Sequence, residues 1–225
     1  MTAVSIFASL SMDFGDILEY AERRQVFDTF GESERERISG ICRTDSKALS
    51  LGGLIALRCL TERFAPSGVP LKIARDGIGK PYFLSDAAGE FSISHSGAIS
   101  VAAYSSAGEG KIGVDIEKID AKRDIKRISD RFFCEAEKEY LSKPDNCADA
   151  FWRIWTAKEA LTKFNGDLLA NTLKGGDVLS SSERYAFAHF SLSYENSEYI
   201  MCVCRAKNED IQIISNIENI EIFKI

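Results

Sequence analysis

Residues 112–117 read IGVDIE. In an extended strand Ile112, Val114 and Ile116 face one way, and Gly113, Asp115 and Glu117 face the other. The two carboxylates then stand about 6.5–7 Å apart along the backbone. That is near enough to lean on one cation, and they repel each other without one. Two readings are open for the segment alone: a pair of metal ligands, or an amphipathic strand with a wet outer face.

A further acid lies in FWRIWTAKEALTKF, residues 151–164. As a helix, this stretch gives Phe151, Trp155, Ala157, Leu161 and Phe164 broadly apolar spacing and lines Lys158, Glu159, Thr162 and Lys163 on the opposite side. Taken alone, Glu159 and Lys163 are a helical ion pair on a solvated face, stabilising by a few tenths of a kcal/mol. Set beside Asp115 and Glu117, Glu159 completes an oxygen-ligand site suited to Mg²⁺, with lysines placed to hold phosphate.

Two other stretches offer grips for an anion. In GKPYF, residues 79–83, Gly79 permits close backbone approach, Lys80 brings charge and Pro81 fixes the turn, a trio also common in surface loops. In FSISHSG, residues 91–97, alternation sets Phe91, Ile93 and His95 on one side before Ser96 and Gly97 turn the chain. His95 is one of two histidines in the chain, and either a structural hydrogen bond or an anion contact accounts for it.

These segments need elements to hold them. TAVSIFASLS alternates as a strand, residues 16–30 have helical character, and residues 44–64 form a long, mostly buried helix begun by Thr44 or Asp45 and loosened by Gly52-Gly53. Short strands follow at LKIARD, FSISHS and ISVAAYS, ahead of IGVDIE. Residues 135–165 are helical in two pieces split at KPDNC. FAHFSLSY and YIMCVCRA make a hairpin around Glu195-Asn196-Ser197, and short strands close the chain near 211–224. This order predicts an α+β fold of two intimately packed lobes, cut near residue 110, with an N-terminal lobe at 1–110 and a C-terminal lobe at 111–225.

A chain of 225 residues with 45% hydrophobic residues can bury a sizeable core. The net charge of -6 excludes a general nucleic-acid binder and requires any anionic ligand to meet a local cluster of bases. The six cysteines show no C-x-x-C spacing, and Cys202 and Cys204 fall in a strand pattern, so a reducing cytoplasm is expected. The N-terminus shows neither a signal-peptide pattern nor a membrane span.

GKPYF, FSISHSG, IGVDIE and WTAKEALTK, in that order and with Phe132, Phe133 and Glu137 in an F-F-x-x-x-E stretch before the last, resemble the motifs of the 4′-phosphopantetheinyl transferases. The likeness is to the larger, two-lobed type that modifies carrier proteins of secondary metabolism, and it covers about Gly79 to Lys163. It implies two pseudo-symmetric lobes, each a small, mostly antiparallel sheet packed with a long helix, an active site in the cleft between them, and a monomer. It also implies a reaction, the transfer of 4′-phosphopantetheine from coenzyme A to a serine of an acyl or peptidyl carrier protein, releasing 3′,5′-adenosine bisphosphate.

By the same resemblance Asp115, Glu117 and Glu159 are Mg²⁺ ligands, and Glu159 is the leading candidate for the general base. Lys80, His95 and Lys163 contact coenzyme A phosphates, with Ser94 beside His95 and Lys158 near the same anion. Gly79 and Pro81 shape the nucleotide pocket, and Gly113 leaves space for the ligand. The family's usual arginine in the long helix is absent: Ala48 stands near its place, leaving Lys47 or Arg43 as substitutes. KIDAKRDIKRISDR supplies Lys122, Arg123, Lys126 and Arg127 as a docking patch for an acidic carrier protein.

Two rivals are weighed against this reading. A nuclease of the D…(E/D)-x-K kind needs a lysine two residues after the second acid, and Ile119 stands there. A protein of the same fold that binds coenzyme A or a carrier protein without turnover keeps the residues but not the reaction.

Overall fold

The computed structural model describes residues 1–143, 147–166, 177–180, 184–206, 211–215 and 221–224. In chain order the elements begin with β1 (Thr2–Ala8), α1 (Phe14–Arg23), α2 (Val26–Phe30), α3 (Glu32–Ser39), α4 (Thr44–Phe64), β2 (Ile73–Arg75), β3 (Pro81–Phe83), β4 (Glu90–Ser96) and β5 (Ile99–Ser105). They continue with β6 (Ile112–Lys118), α5 (Ile125–Phe132), α6 (Glu135–Leu141), α7 (Cys147–Asn165), β7 (Ala186–Tyr194), β8 (Ser197–Arg205), β9 (Ile211–Ser215) and β10 (Glu221–Lys224). The fold is α+β, and packing divides it into two units. One holds the chain up to Ile112 together with β9; the other begins at Gly113 and includes β10.

The first unit has a sheet in the order β4-β5-β1-β9, antiparallel except where β1 runs parallel to β9. Every residue of β1 is buried, as expected of an inner strand covered on both faces. The core is filled by α4 through Leu51, Leu54, Ile55 and Leu60, with Phe7, Phe91 and Tyr104 from the strands. Gly52 and Gly53 do not loosen α4, which runs unbroken. A Cβ at Gly52 would lie 1.9 Å from Ser9 Oγ, and one at Gly53 2.5 Å from Ile93 Cγ2. The pair costs helix propensity, yet it lets the helix press directly onto the sheet. The helical stretch expected over 16–30 is interrupted at Gln25, whose φ of 53° separates α1 from α2.

In the second unit the sheet order is β10-β7-β8-β6. β7 and β8 form the expected hairpin, closed by Glu195 and Asn196 with φ of 46° and 57°, both left-handed as a type I′ turn demands. α7 shares its core with this sheet: Phe151, Trp155, Ala160 and Leu161 cluster with Ile200, Cys202 and Cys204. Burial pushes the Cys204 thiol up to about 12, so this cysteine acts as a small apolar side chain. Between Phe151 and Phe164 only Arg153, Glu159 and Lys163 keep partial exposure. The solvated face expected for this helix is therefore a narrow strip, and Thr156 and Thr162 satisfy their hydroxyls on the carbonyls of Trp152 and Lys158.

Gly113 sits where α7 crosses β6. A Cβ there would lie 2.0 Å from the Ala160 carbonyl oxygen and 2.7 Å from the Phe164 nitrogen. The space left by the missing side chain is thus filled by helix backbone and not kept for a ligand, contrary to the expectation from sequence. Gly113→Ala must push the helix off the strand, and overpacking of this kind costs about 1–3 kcal/mol. Urea denaturation should show a loss of that size, and an unchanged midpoint would mean that the helix does not press on the strand there.

Candidate active site

Gly113, Asp115 and Glu117 point from β6 toward α7, as strand alternation predicts. The helix runs past them in the opposite sense. Gly113 meets Ala160 and Phe164, Asp115 meets Lys163, and Glu117 meets Trp155. The face bearing the acids is covered by the helix and is not a wet outer face; Asp115 is only 5% exposed.

Lys163 Nζ donates to Asp115 Oδ1 at 2.8 Å. The lysine thus reaches across from the helix to the strand. The Trp155 indole N–H donates to Glu117 Oε1 at 2.9 Å, and Arg123 makes an ion pair with Glu117 Oε2 at 3.5 Å. The same guanidinium lies 5.3 Å from the ring centre of Trp152 and 5.7 Å from that of Trp155. Arg123 is thus part of the support for Glu117. Nothing in the sequence pattern marked Trp155 as a partner of Glu117; the available signal was that a buried indole N–H needs an acceptor.

Glu159 belongs to the same group electrostatically. Burial lifts its pKa and the Asp115 charge adds to that; Lys163 opposes, Glu117 adds a smaller push and Arg123 a smaller pull. The result is a carboxyl raised from 4.5 to about 7. Carboxylates, with no thiol or imidazole among them, are donors of the kind a hard divalent cation takes, and a cation beside them would oppose both the burial and the strand-acid charges that lift Glu159.

Lys158 does not join them. It is wholly buried, and its Nζ lies 2.9 Å from Oε2 of Glu137, which is also wholly buried. Glu137 further accepts from the backbone N–H of Cys134 at 2.9 Å and of Val178 at 3.1 Å. With no exposed surface, Lys158 cannot reach a phosphate in this arrangement; it ties α7 to α6, and removing one partner of such a buried pair costs about 3–5 kcal/mol. The F-F-x-x-x-E glutamate thereby has a structural task.

The remaining predicted residues lie in the first unit. Gly79 and Lys80 end the turn between β2 and β3, and Pro81 opens β3. Gly79 needs to be glycine for its φ of +86°, and no protein atom lies within 4 Å of where its Cβ would be. Lys80 is half-buried; desolvation lowers its pKa, partly opposed by Glu90, while Lys111 lowers it further and Asp76 supports it. Ser94 is buried, while His95 is exposed near the end of β4. His95 pairs with Ser100, whose Oγ donates to the Leu49 carbonyl of α4, so His95 lies on the α4 side of the sheet. Lys47 rests over the Phe14 ring, Nζ 6.0 Å from its centre, and Ala48 is packed in the core. Arg43 is exposed at the start of α4.

Comparison with known proteins bears on this arrangement. A family model described as the 4′-phosphopantetheinyl transferase superfamily matches residues 111–204. The chain is 30% identical over 185 residues to the 4′-phosphopantetheinyl transferase ffp of Bacillus subtilis, covering 76% of this chain and 80% of that protein. It is 26% identical over 185 residues to the 4′-phosphopantetheinyl transferase Sfp of Bacillus subtilis (strain 168), with the same two coverages. A shorter match, 37% over 90 residues, links 39% of this chain to 46% of the 4′-phosphopantetheinyl transferase AcpT of Salmonella typhimurium.

The raised pKa of Glu159 has a consequence for stability. Between about 4.5 and 7 the folded chain holds a proton on this carboxyl that the unfolded chain has released. This group's contribution therefore falls as pH rises through that window. In metal-free buffer, the stability of the native sequence should drop relative to Glu159→Gln over those pH values, measured by urea denaturation at each pH. A difference that stays flat would contradict the coupling.

Proposed function

The chain belongs to the 4′-phosphopantetheinyl transferase superfamily, and on that premise we propose that it transfers 4′-phosphopantetheine from coenzyme A to a serine of an acyl or peptidyl carrier protein, leaving 3′,5′-adenosine bisphosphate. What supports this reading is that Asp115 and Glu117 face α7 from one side of β6, where Lys163 and Trp155 of the helix reach them, and that both acids raise the pKa of Glu159 on the same helix. Their chemistry fits Mg²⁺, which when bound would neutralise the diphosphate of coenzyme A.

This chain's own residues supply the rest. The serine Oγ forms a bond to the phosphorus that bears pantetheine, while the bond from that phosphorus to the bridging oxygen breaks and the adenosine bisphosphate leaves with the electron pair. Glu159, on the exposed strip of α7 and with a pKa near neutrality when no metal is bound, is suited to take the serine proton. Ligation and base action pull against each other here, since a cation would lower that pKa. Lys163 remains partly exposed and can stabilise charge on the leaving phosphate. In the first unit Lys80 and His95 are the proposed contacts to coenzyme A phosphates, with Ser94, Gly79 and Pro81 beside them and Lys47 in place of the missing helix arginine. Lys158 is withdrawn from that set because of its burial.

Carrier-protein docking is proposed on Lys122, in the turn before α5, and Lys126 and Arg127, in its first turn, all exposed. Lys126 is paired with Asp130, but both are largely exposed, so the pair leaves the charge available. Arg123 is engaged with Glu117 and is left out of the patch. A reducing compartment fits Cys42, Cys59, Cys134, Cys202 and Cys204, which are free. The enzyme is proposed to act as a monomer.

Incubation of the protein with coenzyme A, Mg²⁺ and an apo carrier protein should add the mass of one phosphopantetheine group to the carrier, detectable by mass spectrometry and lost with Glu159→Ala. Turnover absent on several carriers, with coenzyme A still bound, would favour the binding protein instead. Reversing Lys122, Lys126 and Arg127 to glutamate should raise the carrier-protein KM about tenfold or more and leave that for coenzyme A alone. An unchanged carrier KM would remove the docking assignment.

A further inference from the structure

Glu34, on α3, is a carboxylate in an unusual position for a surface helix: it is 2% exposed. It is held by two arginines. Arg75, the last residue of β2, donates its Nε to Oε1 and its second terminal nitrogen to Oε2, both at 3.0 Å, in a two-pronged clasp. Arg37 donates its Nε to Oε2 at 2.9 Å. Burial alone would raise the carboxyl's pKa, but the hydrogen bond from Arg75 and the charges of Arg37 and Arg75 outweigh that and hold it below its usual value.

The third arm of Arg75 points elsewhere: its other terminal nitrogen donates to the Gly79 carbonyl at 2.9 Å. That carbonyl belongs to the turn that carries Lys80. The turn is also tied from within, since Asp76 Oδ1 accepts from the backbone N–H of Ile78 at 3.0 Å and of Lys80 at 2.8 Å, and Gly79 N–H donates to the Asp76 carbonyl at 3.0 Å. A guanidinium is planar and rigid, so once two of its nitrogens are clasped the direction of the third is fixed.

We propose that Glu34 is a positioning residue for coenzyme A: it fixes the Arg75 guanidinium, and Arg75 fixes the Gly79–Lys80 turn. The inference rests on the reading that Lys80 contacts a coenzyme A phosphate. A lysine on an untethered turn would lose entropy on binding that the clasped turn has already lost, so the effect falls on coenzyme A affinity and not on the chemical step.

Steady-state kinetics with coenzyme A as the varied substrate, together with hydrogen exchange at the Gly79 and Lys80 amides, tests this. Glu34→Gln should raise the coenzyme A KM about tenfold, the scale of one charge-assisted hydrogen bond, with kcat and the carrier-protein KM unchanged and both amides exchanging faster. Arg75→Lys, which keeps the charge but loses the fork, should do the same, and it stands in if Glu34→Gln does not fold. Arg37→Ala, which strips a base from the same carboxylate without touching the turn, should leave the KM unchanged. Lys80→Ala separates the two levels. If it leaves the coenzyme A KM unaltered, the role given to Lys80 fails. If it raises the KM while Glu34→Gln and Arg75→Lys do not, the positioning role of Glu34 is overturned.

Discussion

The helix α7 lies against β6 because residue 113 has no side chain. That contact, with helix backbone where a Cβ would be, sets the distance from which every other group in the site works. At that separation Lys163 reaches Asp115, the Trp155 indole reaches Glu117, and Glu159 comes under the field of both strand acids. The first unit uses the same device: Gly52 and Gly53 let α4 meet the sheet at Ser9 and Ile93. In the first unit the helix, and in the second the strand, gives up a side chain at one point so that helix and sheet come into close contact.

Glu159 sits in surroundings that disfavour its charged form. Lys163 and Arg123 supply positive charge, yet Glu159 is still lifted to near neutrality. Burial is the larger cause of that lift and the strand acids the smaller. The buried Lys158–Glu137 pair has the opposite character. Its charges are matched and sealed, and its task is to hold α7 in place. Two adjacent residues of one helix thus differ sharply: Lys158 is sealed in an ion pair, while Glu159 keeps partial exposure.

Much of this was legible in the sequence because it depends on local periodicity. Alternation along IGVDIE places Asp115 and Glu117 on one face, and the helical run from 147 to 165 carries Glu159 and Lys163. The two-residue turn at Glu195-Asn196 follows from hairpin geometry. What was not legible depends on partners distant in the chain. Lys158 reads as part of a solvated face until Glu137 is seen to bury it. Arg123 reads as one charge in a basic run until it is found over two tryptophans. Gly52, Gly53 and Gly113 read as loosening or as ligand space because local propensity says nothing of which backbone will approach. Glu34 and Arg75 lie 41 residues apart, and neither carries a local pattern that links them. The return of β9 to pair with β1 is likewise a nonlocal choice.

The central claim is that three carboxylates from a strand and a helix form one cation site. Mn²⁺ binding, followed by electron paramagnetic resonance as a probe of Mg²⁺ sites, tests it most directly. The account predicts a single site in the native sequence, weakened about tenfold or more by each of Asp115→Asn, Glu117→Gln and Glu159→Gln. If Glu159→Gln binds the ion as the native sequence does while the two strand variants do not, the helix contributes no ligand and the claim is wrong.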